Sequence, residues 1–265
     1  MKILFLTKYF PPEHGGIETL TKGLCDFYSK KNKIIEVCAF SKKQTYVYKF
    51  KNYKVNFFKP NFEIFSTPFS IQMFIYVFKN SYKFDYLHLV TPNPWPTFFL
   101  FFIKFKNLII SWGSDIINQK ILKLFLNFFQ NSLLKKSNKI ICLSKNYLNH
   151  SNDLKEFKQK IHLIPPLLEK NIKNKKYNTK KKKFKILSIG RLVDYKSHDL
   201  AIDAIKLLPE NYYLDIIGSG KLLNKLESKI FKLEINHRVR ILQNISERKK
   251  KRILKNSDIF LICSK

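Results

Sequence analysis

Glycine is scarce in this chain, with seven in 265 residues. Each glycine therefore marks a place where a turn or a close backbone approach has a use for it. Acidic residues are few as well, 19 against 50 lysines and arginines, for a net charge of +31. The four cysteines (Cys25, Cys38, Cys142, Cys263) form no C-x-x-C pair and show no metal-ligand spacing. That usage fits a reducing, cytosolic compartment. Cys25 and Cys38 read as small core residues. No apolar run reaches the roughly 20 residues a spanning helix needs. The greasiest, PTFFLFFIKFKNLII (96–110), is broken by Lys104 and Lys106, so no transmembrane helix is expected. The opening MKILFLTKYFPPEHGG has too short an apolar stretch, and no small-residue cleavage site, for a signal peptide.

What the chain does have is 45% hydrophobic residues, enough for a sizeable core, and a surface that attracts anions. Nucleic acid, acidic lipid head groups and phosphorylated substrates all fit that charge. So does composition alone, because Lys, Asn, Ile, Phe and Tyr are residues that AT-rich codons specify.

Short apolar runs alternate with helical spacing along the chain. Strands are expected over 2–7, 34–40, 84–92, 107–112, 139–144 and 160–166. Helices are expected over 17–31, with Ile17, Leu20, Leu24, Phe27 and Tyr28 as its apolar face, and over 120–137. The lysine-rich, nearly apolar-free stretch 169–183 then reads as a solvated linker. Alternation restarts with strands at 184–189, 212–218, 238–243 and 258–264 and helices at 199–208, 221–233 and 246–256. The pattern is α/β: two doubly wound, Rossmann-like parallel-sheet domains over 1–168 and 184–265, the second with about half its expected elements.

Three loops stand where chemistry is expected. FPPEHGGIE puts Gly15 and Gly16 between a first strand and its helix, where free N–H groups and the positive dipole end favour an anion. ILSIGRLVDYKSHDLAIDAI (186–205) places Gly190 and Arg191 at the carboxyl end of a strand and Lys196 five residues on. That is the edge where open α/β sheets bind ligands. Arginine offers a planar fork to phosphate and lysine a point charge. IIGSGKL (216–222) ends the next strand at Gly218 and Gly220. A tight turn explains the first glycine pair, and ordinary surface charge explains the two cations, as readily as a ligand does. None of the six histidines stands out as a general base, and only His14 is well placed.

In this order the pieces resemble the family 4 (group 1) retaining glycosyltransferases of GT-B fold. PPEHGGIE resembles the family's N-terminal glycine loop. SWGSDIINQKILKLF (111–125) is similar to its WHSDI-QK segment, and ICLSKNYLNHS and IHLIPP to the end of its first domain. ILSIGRLVDYKSHDLAIDA resembles its GR…K donor loop, and LDIIGSGKLLNKLE the segment after it. The resemblance implies a nucleotide-diphospho-sugar donor held mainly by the second domain. The acceptor, a glycan or lipid-linked precursor, is held by the first, and the sugar passes with retention. Arg191 and Lys196 would be catalytic, stabilising the leaving diphosphate. Gly15, Gly16, Asp115, Gly190, Gly218 and Gly220 would line the substrates. No metal or other cofactor is expected, and no Asp-x-Asp motif occurs. Gly113 stands where the family often carries histidine, and Ser197 where it usually carries glycine. Asp115 has a second reading, as the cap of the helix that follows.

The same resemblance implies an E-x7-E segment and a terminal helix after DIFLICS. Neither appears before Lys265, so the chain reads as truncated, poorly stable and poorly active. The competing functions are an inactive fragment of such an enzyme, a basic module for membrane or nucleic acid, and a dinucleotide-dependent dehydrogenase. The second lacks any nucleic-acid motif, so no nucleic-acid partner is expected. The third lacks GxGxxG. The expected location is the cytoplasm, with peripheral contact at an anionic inner membrane face through QMFIYVFKNSYKF (72–84) and KILKLFLNFFQNSLLKK (120–136). Packing of those two apolar faces on the sheet is the alternative.

Overall fold

The computed structural model describes residues 1–13, 15–50, 52–64, 66–115, 120–166 and 183–264. Two compact units divide the chain, Met1–Lys170 and Asn171–Lys265. The expected linker, 169–183, lies outside the described residues except for Lys183, as does His14.

In chain order the first unit holds β1 (Lys2–Leu6), α1 (Gly16–Lys30), β2 (Ile34–Phe40), β3 (Tyr46–Phe50), β4 (Tyr53–Phe58), β5 (Phe62–Ile64), β6 (Thr67–Phe69) and α2 (Ile71–Asn80). It continues with β7 (Tyr86–Thr91), α3 (Pro94–Phe99), β8 (Leu108–Trp112), α4 (Lys120–Lys136), β9 (Lys139–Cys142), α5 (Lys145–His150) and β10 (Ile161–Leu163). The main sheet has eight strands in the order β10-β9-β8-β7-β1-β2-β4-β3, and β5 and β6 form a separate hairpin. Every pair in the main sheet is parallel except β3 with β4.

Central β1 shows why. Four of its five residues are buried, and successive side chains enter opposite cores. Leu4 and Leu6 join Met73 and Val77 of α2, Phe99 of α3 and Leu133 and Leu134 of α4. Ile3 and Phe5 join Cys25 of α1 with Val37 and Val55. Each such side chain, taken fully from water, contributes about 1.5–3 kcal/mol. Cys25 and Cys38 are fully buried, and burial pushes both thiols' pKa up.

The structure differs from the sequence reading at three places. The buried stripe of α1 is Thr21, Cys25 and Ser29, while Phe27 is exposed. Small residues on the inner side let the helix lie close to the sheet, and Ile17, Leu24 and Tyr28 pack at its flanks. Strands β3 and β4, which the hydrophobic pattern did not announce, close the sheet edge with an antiparallel hairpin. The strand expected over 258–264 shrinks to two residues, described next.

The second unit runs β11 (Phe184–Ile189), α6 (His198–Leu207), β12 (Tyr212–Ile217), α7 (Leu223–Lys232), β13 (Val239–Leu242), α8 (Glu247–Asn256) and β14 (Ile259–Phe260). Its parallel sheet has the order β13-β12-β11-β14. Ile186, Leu214 and Ile216 meet Ala201, Ile202 and Ile205 of α6 and Leu226 and Ile230 of α7. Strand β14 pairs only at Ile186 and Leu187, with one further bond from the Leu261 N–H to the Leu187 carbonyl. Beyond that, β11 turns into a loop at Gly190 and leaves residues 263 and 264 no strand opposite. Arg238 is buried at 2% exposure. Its guanidinium donates to the carbonyls of Leu208, Pro209 and Tyr212 and to Glu210, so the charge is satisfied where the chain leaves α6 for β12.

Candidate functional site

At the carboxyl edge of the second unit's sheet, two loops lie side by side. The loop after β11 continues the ladder through the Gly190 N–H to the Ile217 carbonyl at 3.0 Å and the Leu192 N–H to the Ser219 carbonyl at 2.9 Å. Leu222 returns a bond to the Leu192 carbonyl at 3.1 Å. Contact this close demands glycine. A Cβ on Gly218 would sit 1.9 Å from the Gly190 carbonyl oxygen, and one on Gly220, at φ +157°, 2.5 Å from that of Leu192. Leu192 is fully buried and anchors the loop in the core.

On this anchored loop Arg191 is exposed beside Leu192. Its Nη2 donates to the Tyr195 hydroxyl at 2.7 Å, and its Cζ lies 5.8 Å from the centre of that ring. The Nζ of Lys196 lies 5.4 Å from the same ring and donates to Ser264 at 3.2 Å. Both cations are thus held at one aromatic ring. Asp194 pairs with Lys221 at 2.7 Å, which ties the two loops together and lowers the carboxyl's pKa.

Helix α6 begins immediately after, and its N-cap, Ser197, makes no side-chain cap bond. Ser197 sits in left-handed backbone (φ 47°, ψ 42°) and is buried. Glycine takes that conformation without strain, whereas serine does not. His198, the first helical residue, is 4% exposed. Its Nδ1 meets the Ser188 hydroxyl at 3.3 Å, while its Nε2 has no hydrogen-bond partner and lies 3.5 Å from where a Gly190 side chain would begin. Burial lowers the His198 pKa, against a smaller upward pull from the backbone of Arg191 and Gly190. The buried His198 imidazole and the stem of Lys196 thus both lie beside Gly190. The arrangement suits an anion: two cations and a helix N-terminus at one sheet edge.

In the first unit Gly15 caps α1 in extended backbone and Gly16 opens it. A side chain at Gly15 would meet only the flexible end of Glu18, and one at Gly16 nothing within 4 Å. Packing does not require glycine at either position. Gly113 differs. Its Cβ would lie 2.5 Å from the Thr91 carbonyl oxygen and 3.6 Å from Ile17. A histidine there requires the end of β7 to move.

Asp115 is turned inward. Its carboxylate accepts from Trp112 Nε1 at 2.9 Å and Ser151 Oγ at 2.8 Å, and from the Tyr147 hydroxyl. It joins the end of β8 to α5 and to the turn after it. Residues 116–119, between Asp115 and α4, lie outside the described residues, and with them any capping of that helix by Asp115. The structure thus gathers Arg191, Lys196, Gly190, Gly218 and Gly220 in one loop pair, and Gly15 and Gly16 at another sheet edge. It engages Asp115 with protein donors. Sequence reasoning missed Tyr195 and His198, although both stand inside the quoted donor loop. It also missed Tyr147 and Ser151, which nothing in their local pattern announces.

Among the described residues no three His, Cys, Asp or Glu side chains gather as metal ligands. Among them, too, no helix is long and apolar enough to cross a membrane. A cavity of ≈ 370 Å³ beneath α8 lies apart from the loops. Its Arg240 and Asp215 neutralise each other in a two-pronged pair at 2.8 and 2.9 Å.

The chain is similar to several known glycosyltransferases. Residues 169–265 match the family described as Glycosyl transferases group 1. The O-antigen chain mannosyltransferase C of Escherichia coli is 30% identical over 176 residues, 64% of this chain and 47% of that protein. The D-rhamnosyltransferase WbpZ of Pseudomonas aeruginosa is 23% identical across 97% of this chain and 69% of its own length. The chain thus spans about half of the first relative and about two thirds of the second. Among solved structures, HepE of Anabaena in complex with UDP and glucose matches with TM-score 0.72 at 15% identity, covering 100% of this chain and 74% of that one. WaaG, a glycosyltransferase involved in lipopolysaccharide biosynthesis, matches with TM-score 0.70 at 14% identity, covering 99% and 75%. The fold is similar to that of the GT-B glycosyltransferases, and the match to the group 1 glycosyltransferase family falls on residues 169–265.

Proposed function

We propose that the protein transfers a sugar from a nucleotide-diphospho-sugar to a hydroxyl of a glycan or lipid-linked acceptor, with the anomeric configuration retained and without a metal cofactor. The observation that carries this is the pair Arg191 and Lys196, held at the ring of Tyr195 on a loop that the sheet edge anchors. As the donor's anomeric C–O bond breaks, negative charge grows on the diphosphate. A guanidinium and an ammonium fixed before the reaction stabilise that charge with little reorganisation. Gly190, Gly218 and Gly220 let the backbone run close beneath them. Gly15 and Gly16 act as backbone donors to an anionic group, and Asp115 acts on the ligand only through the loop it holds.

The names of the relatives, an O-antigen chain mannosyltransferase and a D-rhamnosyltransferase, favour a six-carbon sugar, and the first favours a glycan acceptor. The reading puts the work in the cytoplasm. The test is calorimetric titration of UDP, GDP and ADP into the full chain in the presence of EDTA, repeated for Arg191→Ala and Lys196→Ala. At least one nucleotide is expected to bind, with each variant weakening it about tenfold or more. Equal binding by parent and variants, or a strict need for metal, overturns the reading.

A further inference from the structure

Helices α2, α3 and α4 pack on one face of the first unit's sheet, and large apolar side chains on α2, on α4 and in the turns after α2 and α3 stay exposed. Ile71, Ile75 and Phe78 recur along α2 and Tyr82 follows one turn on, at 54%, 43%, 59% and 63% exposure. Phe102, at 58%, and Phe128, at 65%, extend the same surface. The rings are continuous beneath it. Phe78 rests on Phe74, Phe74 on Phe99 and Phe99 on Trp95; Trp95 meets Phe98, Phe98 meets Phe102, and Phe102 and Phe128 both touch Phe101.

This surface is also of one charge. Residues 71–83, 94–102 and 120–136 contain no aspartate or glutamate. Lys79, Lys83 and Lys136 are exposed on them. The Nζ of Lys83 lies 5.7 Å from the ring centre of Tyr82, and that of Lys136 lies 4.9 Å from that of Phe101. Apolar surface needs a partner, and the lysines restrict which one. A second copy pairing face to face would press like charges together with no carboxylate to neutralise them. A bilayer surface with anionic headgroups accepts both parts. Aromatic and aliphatic side chains enter the boundary below the headgroups, and ammonium groups stay at the phosphates.

We propose that the surface formed by α2, α4 and the turns after α2 and α3 docks the protein on an anionic membrane surface, with Ile71, Ile75, Phe78, Tyr82, Phe102 and Phe128 inserted and Lys79, Lys83 and Lys136 on headgroup phosphates. This goes beyond the glycosyl-transfer reading and does not depend on it.

Co-sedimentation of the full chain with vesicles of phosphatidylglycerol and phosphatidylcholine tests it, with phosphatidylcholine vesicles as control. Binding is expected to the anionic vesicles. The triple variant F78S/F102S/F128S is expected to lower partitioning at least about tenfold at an unchanged melting temperature. K79Q/K83Q/K136Q leaves every ring in place and is expected to flatten the salt dependence of binding. If the triple serine variant fails to fold, the glutamine variant decides alone. A comparison variant, K180Q/K181Q/K182Q/K183Q, is expected to retain most of the binding. Undiminished binding by a folded serine variant, or loss only in the comparison variant, overturns the proposal. So does a parent dimer that the serine substitutions dissociate with no vesicle binding by the parent.

Discussion

A side chain on Gly218 would place its Cβ 1.9 Å from the carbonyl oxygen of Gly190. The two loops at this sheet edge therefore touch backbone to backbone, and Arg191 follows directly on the carbonyl concerned. Neither partner can step aside, since the Gly190 N–H is bonded to Ile217 and the Gly218 N–H to Leu242. Gly218→Ala is expected to cost about 1–3 kcal/mol, the usual range for overpacking. Its melting temperature should fall, and nucleotide affinity with it, as the Arg191 loop is pushed outward. Differential scanning calorimetry with the titration above checks both.

Ser197 gives the opposite sign. It holds a left-handed conformation at φ 47° that costs a non-glycine residue about 1 kcal/mol. Its hydroxyl makes only a 3.3 Å bond to the Asp194 carbonyl. Ser197→Gly is expected to raise stability by up to about 1 kcal/mol, with Ser197→Ala below the parent. Thermal melts of the three chains under one buffer decide it.

Asp115 supports the end of β8. Replacing it with alanine leaves the Trp112 indole N–H and the Ser151 and Tyr147 hydroxyls without their acceptor. A loss of about 2–3 kcal/mol is expected, since hydrogen bonds to a charged group are the stronger kind. Trp112 is one of two tryptophans, and both lie in the first unit, so tryptophan fluorescence follows this unit alone.

His88 makes the first unit sensitive to acid. It is buried in β7, stacked on Phe5 at 4.6 Å and bonded to Ser111 at 2.7 Å, and burial holds its pKa down at about 3. An unfolded histidine titrates near 6.5, so below that pH the unfolded state takes up the proton first. The His88 contribution is complete above about pH 6.5 and is lost as pH falls toward 3, at up to about 1.4 kcal/mol per pH unit. His88→Gln keeps a partner for Ser111 but cannot titrate. Urea unfolding of this variant, followed by tryptophan fluorescence between those pH values, should show a shallower acid slope than the parent.

Much of this was legible in the residues. KILFL, IIEVCAF and YLHLV are buried on both faces, and such strands announce themselves by continuous apolar runs. The glycine and charge punctuation of ILSIGRLVDYK likewise marks a strand end with a loop, because local conformation and local polarity are properties of neighbouring residues. The hairpin of β3 and β4 was not legible, since YVYKF is exposed at its three middle residues and its pairing depends on a partner strand. Nor was the inner stripe of α1. Thr21, Cys25 and Ser29 look polar or small in sequence and become interior only because the helix approaches the sheet.

The site divides the same way. The sequence alone determined which residues can carry charge at the sheet edge and where glycine breaks the pattern. Only the tertiary structure decided that Gly218 and Gly220 are demanded by neighbouring carbonyls while Gly15 and Gly16 are not. It also decided that Tyr195 gathers Arg191 and Lys196, and that Asp115 turns to Trp112, Tyr147 and Ser151. The physical reason is that steric contact, burial and hydrogen-bond partnership act between residues far apart in the chain, as Asp115 and Ser151 are, 36 positions from each other.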